Sequence, residues 1–239
     1  MKLQGRTALI TGAGRKLGRA TAIALARAGA NVVVNVRSNH EECAAVCAEV
    51  ESYGVKALPL VADVSDRAQI EQMIAQALAT FGTVDILINN VGVRPLKPIL
   101  EASYEDLRQV MAINFEASFL LAQGFLPGML KQGWGRIIQT VGSTSISGQK
   151  ERSIVAASKM AALGLTRSLA KELAGQGVLV NCISPGMLEP GKEQRLKTIP
   201  LGRAGRQEEV ANATVFLCSE EASYIAGETL HVNGAERCF

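Results

Sequence analysis

Three groups of residues in this chain have types and spacings that could do chemistry. The first is Thr11-Gly12-Ala13-Gly14-Arg15-Lys16-Leu17-Gly18. It lies between an apolar run, Thr7–Thr11, and a helical pattern, Arg19–Ala28. Small residues in such a turn let the backbone approach a pyrophosphate, and the helix start adds amides and positive potential. Lys16 is either an ammonium near those phosphates or a solvated lysine at a helix start. The second group closes the next apolar run as Asn35-Val36-Arg37-Ser38. A carboxylate there would bind the ribose 2′-hydroxyl of NAD. Val36 offers none, whereas Arg37 and Arg15 offer two guanidinium groups, which suits a 2′-phosphate and hence NADP(H) rather than NAD(H). The third is Ser153-Ile-Val155-Ala-Ala-Ser-Lys159, with Ser143 twelve positions before Val155. Ser143 and Lys159 have the types of a nucleophile or oxyanion partner and a base. Val155 can neither titrate nor hydrogen-bond.

The elements that must position these groups read clearly. Thr7–Thr11, Asn31–Val36, Ala57–Val61, Val84–Ile88, Arg136–Val141, Val178–Ile183 and Thr229–Val232 are short apolar runs without polar alternation, as strands covered on both faces require. Arg19–Ala28, Glu41–Tyr53, Ala68–Phe81, Tyr104–Lys131, Ile154–Gly175 and Glu208–Ser219 have helical patterns, the fourth with a break near Asn114. Alternation at this spacing predicts an α/β Rossmann fold, a doubly wound seven-stranded parallel sheet with helices on both faces. No linker or low-complexity segment interrupts residues 1–239, so a single domain is expected.

Bulk properties narrow the classes. A 48% hydrophobic chain of 239 residues can bury one large core. The formal net charge of +3 gives no global case for nucleic acid. No membrane span and no signal-peptide apolar segment is expected from the sequence. Five scattered cysteines suit reduced thiols in a cytoplasmic protein. Cys43 and Cys47, one helical turn apart after His40, could begin a metal site, but no second ligand pair has zinc-like spacing. A partly buried helix face accounts for them.

Taken in order, these motifs resemble the short-chain dehydrogenase/reductase family, especially its 3-oxoacyl-carrier-protein-reductase-like branch. Thr11-Gly12…Gly18 is similar to the family's TGxxxGxG, Asp63-Val64 to its adenine-flanking pair, and Asn89-Asn90-Val91-Gly92 to NNAG. Asn114 resembles the structural and catalytic Asn, and Gly142-Ser143 the segment with the catalytic Ser. Lys159 matches the Lys of YxxxK, Pro185-Gly186 the PG after the sixth strand, and Gly227–Ala235 the GxxxxVDGG end. The resemblance spans essentially the whole chain. It implies catalytic roles for Asn114, Ser143 and Lys159. It implies cofactor contacts from Gly12, Arg15, Lys16, Leu17, Gly18, Arg37, Asp63, Val64, Asn90, Gly92, Lys159, Pro185 and Gly186. It also implies a homotetramer built on the helices 104–131 and 154–175.

The chain departs from the family pattern in places that matter. The YxxxK tyrosine, which passes the proton, is Val155. The usual Gly is Lys16, as in pteridine-reductase-like members. The Thr after PGxxx is Pro190, which lacks both hydroxyl and N–H. The stretch between Gly186 and Pro200 is short for a substrate lid, so a more open site is expected. Of the remaining tyrosines, Tyr53 and Tyr224 belong to remote segments. Tyr104 either approaches the site or packs its helix. Arg94, Lys97, Lys150, Arg152, Lys192, Arg195 and Lys197 lie on segments expected at the pocket mouth, which suits a small anionic substrate; an ordinary solvated rim explains them equally.

Three readings follow. One is an NADP(H)-dependent reductase of a carbonyl or conjugated alkene, with a substitute proton route. Another is a lyase, isomerase or hydrolase on the same scaffold. The last is a non-catalytic cofactor-binding subunit.

Overall fold

A computed structural model describes residues 2–142, 147–191 and 196–238. Seven parallel strands form one sheet in the order β3-β2-β1-β4-β5-β6-β7. They are β1 (Thr7–Ile10), β2 (Asn31–Val36), β3 (Ala57–Val61), β4 (Ile86–Asn89), β5 (Gly135–Thr140), β6 (Val178–Pro185) and β7 (Thr229–Val232). The helices are α1 (Lys16–Arg27), α2 (His40–Glu51), α3 (Arg67–Phe81), α4 (Tyr104–Met111), α5 (Ala117–Gln132), α6 (Ser153–Leu173) and α7 (Gln207–Cys218). The expected doubly wound architecture is the one observed.

The unbroken apolar runs divide between two cores. Ala8 and Ile10, Val32 and Val34, and Ile86 and Ile88 pack on the face that holds α1, α2 and α7. Leu9, Val33, Leu87 and Ile137 pack on the other face with Ile70 and Met73 of α3 and Leu121 and Phe125 of α5. Successive strand side chains point to opposite faces, so a strand with helices on both sides needs hydrocarbon at every position.

Polar side chains start several helices. Asn39 accepts from the Glu42 amide, Asp66 from the Ala68 and Gln69 amides, and Ser103 forms a reciprocal capping box with Asp106. The sequence boundaries shift by a few residues. α1 begins at Lys16, three residues earlier than the pattern, because Arg15 is the extended N-cap. β4 runs Ile86–Asn89 because Val84 and Asp85 precede the ladder.

The expected break near Asn114 is a π-helical turn, Ala112–Glu116, between α4 and α5. The combined run Tyr104–Gln132 is long and apolar enough, at a mean hydropathy of 1.2, to meet the composition of a membrane span. That departs from the expectation that nothing here approaches one. About 39% of its most apolar stretch is buried, and there Leu121, Ala122, Phe125 and Met129 belong to the core beneath the sheet.

β1 and β4 are neighbours, and the chain winds outward from them in opposite directions. In open α/β sheets the ligand crevice lies beyond the strand C-termini at such a switch point. The turns after β1, β4, β5 and β6 all emerge there.

Candidate active site

The turn after β1 closes on itself. A Cβ on Gly18 would lie 2.1 Å from the Gly12 carbonyl oxygen and 2.8 Å from Asn90 Nδ2, so only glycine fits. Gly12 has φ +64°, the left-handed region that glycine enters without strain. Lys16 has φ +48°. This gives the family's usual glycine at that place a conformational reason, and a lysine there bears the strain.

Asn90 acts as a brace. Its Nδ2 donates to the Thr11 and Gly12 carbonyls at 2.9 and 3.3 Å. Thr11 Oγ1 accepts from the Asn90 and Val91 amides at 3.0 and 3.1 Å. From the other side, Asn35 Oδ1 accepts from the Gly12 amide at 3.3 Å, and its Nδ2 donates to Leu60 and Ala62 carbonyls. Asn90 thus fixes the turn through its side chain. Asn35, which sequence reasoning noted only as a neighbour of Val36, does the same work from β2.

Val36 is buried at the end of β2, Arg37 is exposed just after it, and Arg15 is exposed at the N-cap of α1. One acid was missed. A Cβ on Gly14 would lie 2.9 Å from Glu42 Oε2 and 2.9 Å from Val36 Cγ1. The Glu42 carboxylate therefore borders the turn, on a helix that follows β2 by sequence. Asp63 spends one carboxylate oxygen on the Ser65 amide and hydroxyl, at 2.9 and 2.7 Å. Val64 is buried against the Lys159 pocket, and Leu17 is half-buried at the start of α1. Pro185 ends β6. Gly186 is packed so tightly that a Cβ would come within 2.7 Å of Asn233 Cα, which gives this glycine a structural reason.

The chemistry-bearing residues meet around Gly92. A Cβ there would lie 3.0 Å from Lys159 Nζ and 3.4 Å from Asn114 Oδ1, so glycine lets the ammonium and the amide approach. Lys159 is buried in α6, with Nζ donating to the Thr140 carbonyl at 2.8 Å. Burial, and then the charge of Arg94, push its pKa down from 10.5 to about 8. Asn114 sits inside the π-turn, a backbone form frequent at functional sites. Its Oδ1 accepts from the Val93 amide at 2.8 Å, while Nδ2 donates to the Val93 carbonyl and to Ser158 Oγ, at 3.1 and 2.9 Å. Ser158 in turn donates to the Val155 carbonyl at 2.8 Å. Asn114, Ser158 and α6 are thereby one hydrogen-bonded unit.

Thr11, Val64, Asn89, Asn114, Thr140 and Lys159 line a cavity of about 10 Å³, room for one water-sized group. The Asn89 amide faces it without a hydrogen-bond partner among the described residues. Ser158, Thr140 and Asn89 were not foreseen as site residues. Only Asn89 carried a signal, as the first residue of Asn89-Asn90-Val91-Gly92.

Val155 is buried one helical turn before Lys159. All three tyrosines of the chain lie among the described residues, and none bonds to Lys159. Tyr53 accepts from Arg27 at 3.0 Å, Tyr224 is fully exposed, and Tyr104 is 68% exposed at the start of α4. Ser143, Lys192 and Arg195 lie outside the described residues. Pro190 is exposed after β6. Cys43 and Cys47 are buried on one face of α2, with Cys43 Sγ donating to the Val34 carbonyl, and no metal-holding cluster occurs among the described residues.

A parallel sheet with a glycine turn at its switch point, and a lysine and asparagine beyond β4 and β5, defines a Rossmann-type nucleotide-binding class. Comparison with known proteins narrows it. A family described as Enoyl-(Acyl carrier protein) reductase matches residues 12–234. The chain is 39% identical to 3-oxoacyl-[acyl-carrier-protein] reductase FabG of Aquifex aeolicus, covering 98% of both chains. It is 35% identical to the reductase of that name from Staphylococcus aureus, over 96% of this chain and 97% of the other. The same identity holds for the Thermotoga maritima protein so named, over 98% of each. The chain belongs to the short-chain dehydrogenase/reductase family of oxidoreductases.

Proposed function

We propose that this protein is an NADP(H)-dependent reductase of a carbonyl or conjugated alkene on a small anionic substrate, working without a tyrosine proton donor. The observation that carries the reading is the meeting of Lys159 and Asn114 at Gly92 while Val155 occupies the position one turn before the lysine. The site fits a nicotinamide dinucleotide. The closed Gly12–Gly18 turn at the start of α1 suits a pyrophosphate, Arg15 and Arg37 suit a 2′-phosphate, and Asp63, Val64, Gly92 and Pro185-Gly186 stand at or just beyond the C-terminal ends of β3, β4 and β6. When bound, the cofactor supplies a hydride.

The chain's own residues would do the rest. Ser143 polarises the substrate carbonyl or enone. Lys159, with its pKa near 8, is an acid matched to neutral pH, where proton donors work best. Asn114 holds the Val93 backbone and Ser158, keeping α6 and the lysine in place. Asn89 and Asn114 line the small polar cavity beside Nζ, which suits proton transfer through a single water. The stretch between Gly186 and Pro200 is short in sequence for a substrate lid, and a shorter lid excludes less water.

Assembly belongs to the same proposal. Exposed Phe119 on α5 and Met160 on α6 support a homotetramer built on these helices.

The test is titration of the pure protein with NADPH and NADH, followed by NADPH consumption with ketone and enoyl substrates. NADPH should bind at least several-fold more tightly than NADH and be consumed. Tight binding with no turnover across both substrate classes would overturn the reductase reading in favour of a cofactor-binding subunit. Turnover without nicotinamide would favour a lyase, isomerase or hydrolase.

A further inference from the structure

The basic residues at the pocket mouth do not form one uniform rim. Lys97 is neutralised by Asp106, and Lys150 lies 4.0 Å from Glu151 Oε1. Arg94 and Arg152 make no ion pair or hydrogen bond through their side chains among the described residues, and Arg152 Nε is a buried donor without a partner. Arg94 is exposed and Arg152 half-buried, so the burial falls on that one Nε, and a buried donor without a partner in a native structure calls for an explanation.

The fold brings the two arginines to the same place. Arg94 stands two residues after Gly92, the glycine against Lys159 Nζ. Its segment is tied to the start of α6 by the Lys97 amide, which donates to the Glu151 carbonyl at 2.7 Å. Arg152 is the N-cap of α6, three residues before Val155 and seven before Lys159, a spacing that returns to the same side of a helix. The charges also feel one another. Desolvation, and then Arg152, hold Arg94 below its ordinary pKa, and Arg94, after burial, depresses Lys159.

We infer that Arg94 and Arg152 form a carboxylate-binding site, which anchors the acid group of the substrate while its reacting carbon lies between Val155 and Lys159. This deepens the reductase reading and rests on it for the position of the reacting carbon. Paired guanidinium groups match a carboxylate in shape and charge. The helix sets the span. At 1.5 Å per residue, Arg152 precedes Lys159 by about 10 Å along the axis and Val155 precedes it by about 6 Å. A reacting carbon between Val155 and Lys159 therefore lies from roughly 4 Å to roughly 10 Å along the axis from Arg152, before side-chain reach is counted. A short oxo acid with two methylenes between its carboxylate and its ketone meets the near end of that range.

The probe is therefore 4-oxopentanoate, with its methyl ester as the uncharged control, titrated calorimetrically at low salt into cofactor-free protein. Using cofactor-free protein keeps the outcome separate from that of the NADPH titration, so either reading can fail alone. Wild-type protein should bind the anion at least tenfold more tightly than the ester. In Arg94→Gln and Arg152→Gln the preference should fall to within about threefold, whereas Lys97→Gln, at a cation already paired with Asp106, should keep it. Equal binding of anion and ester by the wild type, or neither binding, overturns the inference without need of any variant. So does a tenfold preference that survives in both arginine variants.

Discussion

The buried ammonium of Lys159 makes a prediction that needs no substrate. Folding moves its pKa from 10.5 to about 8, burial being the larger cause and Arg94 the second. The folded pKa is the lower one, so between these values the unfolded chain binds the proton that the folded chain has released. Stability must rise with pH through that window. The penalty for holding a charged lysine inside is fully present below pH 8 and is gone above pH 10.5. A shift of this size corresponds to about 3 kcal/mol in all, at about 1.4 kcal/mol per unit. Between pH 7 and pH 10 roughly 2–3 kcal/mol of it is relieved.

Lys159→Met removes the titration but keeps the volume, so the difference between wild type and variant isolates this lysine from every other group. Urea unfolding of both proteins at pH 7, 8, 9 and 10 measures it. Wild-type stability should gain on the variant by that amount over the series. Two curves that run parallel from pH 7 to pH 10 would refute the burial argument, and with it the idea of a lysine tuned toward neutrality.

Two further predictions concern the cofactor turn. Gly18→Ala sets a methyl 2.1 Å from the Gly12 carbonyl oxygen; the turn must open, so the NADPH affinity should fall at least tenfold and the melting temperature should drop, both read by titration and thermal melts. Glu42→Gln removes a carboxylate whose Oε2 lies 2.9 Å from where a Cβ on Gly14 would stand; NADPH binding should tighten up to about fivefold, as expected for weakening a partly solvated charge contact, with little change for NADH.

Much of this architecture could be read directly from the chain, and the reasons differ by element. β2 and β3 were placed to the residue because Asn31–Val36 and Ala57–Val61 are apolar on both faces and bounded by turns. α1 began earlier than its pattern because the pattern follows burial, whereas Lys16 enters the helix through a left-handed backbone. The π-turn was visible only as a break near Asn114, since hydrogen-bond register leaves no compositional trace.

At the site, Lys159, Asn114 and Gly92 were legible through motif order, and the structure brings them together. Arg94 was legible only as a residue of the expected pocket mouth, and Glu42 and Thr140 were not legible as neighbours of those groups. Their parts depend on where separate segments meet. Thr140 acts through a backbone oxygen, for which side-chain type is no guide. The basic residues at the mouth were also indistinguishable in sequence. Lys97 is paired with Asp106 and the exposed Lys150 lies 4.0 Å from Glu151, whereas Arg94 and Arg152 have no side-chain partner among the described residues.

The proposal turns on Val155 standing where the family's tyrosine would donate the proton. The most direct measurement is NADPH oxidation with a simple ketone by wild-type protein and by Val155→Tyr, side by side at neutral pH. A positioned general acid is worth on the order of 10²–10⁴ in rate. The variant should therefore reduce the ketone at least a hundredfold faster than wild type. Equal rates in the two proteins would contradict it.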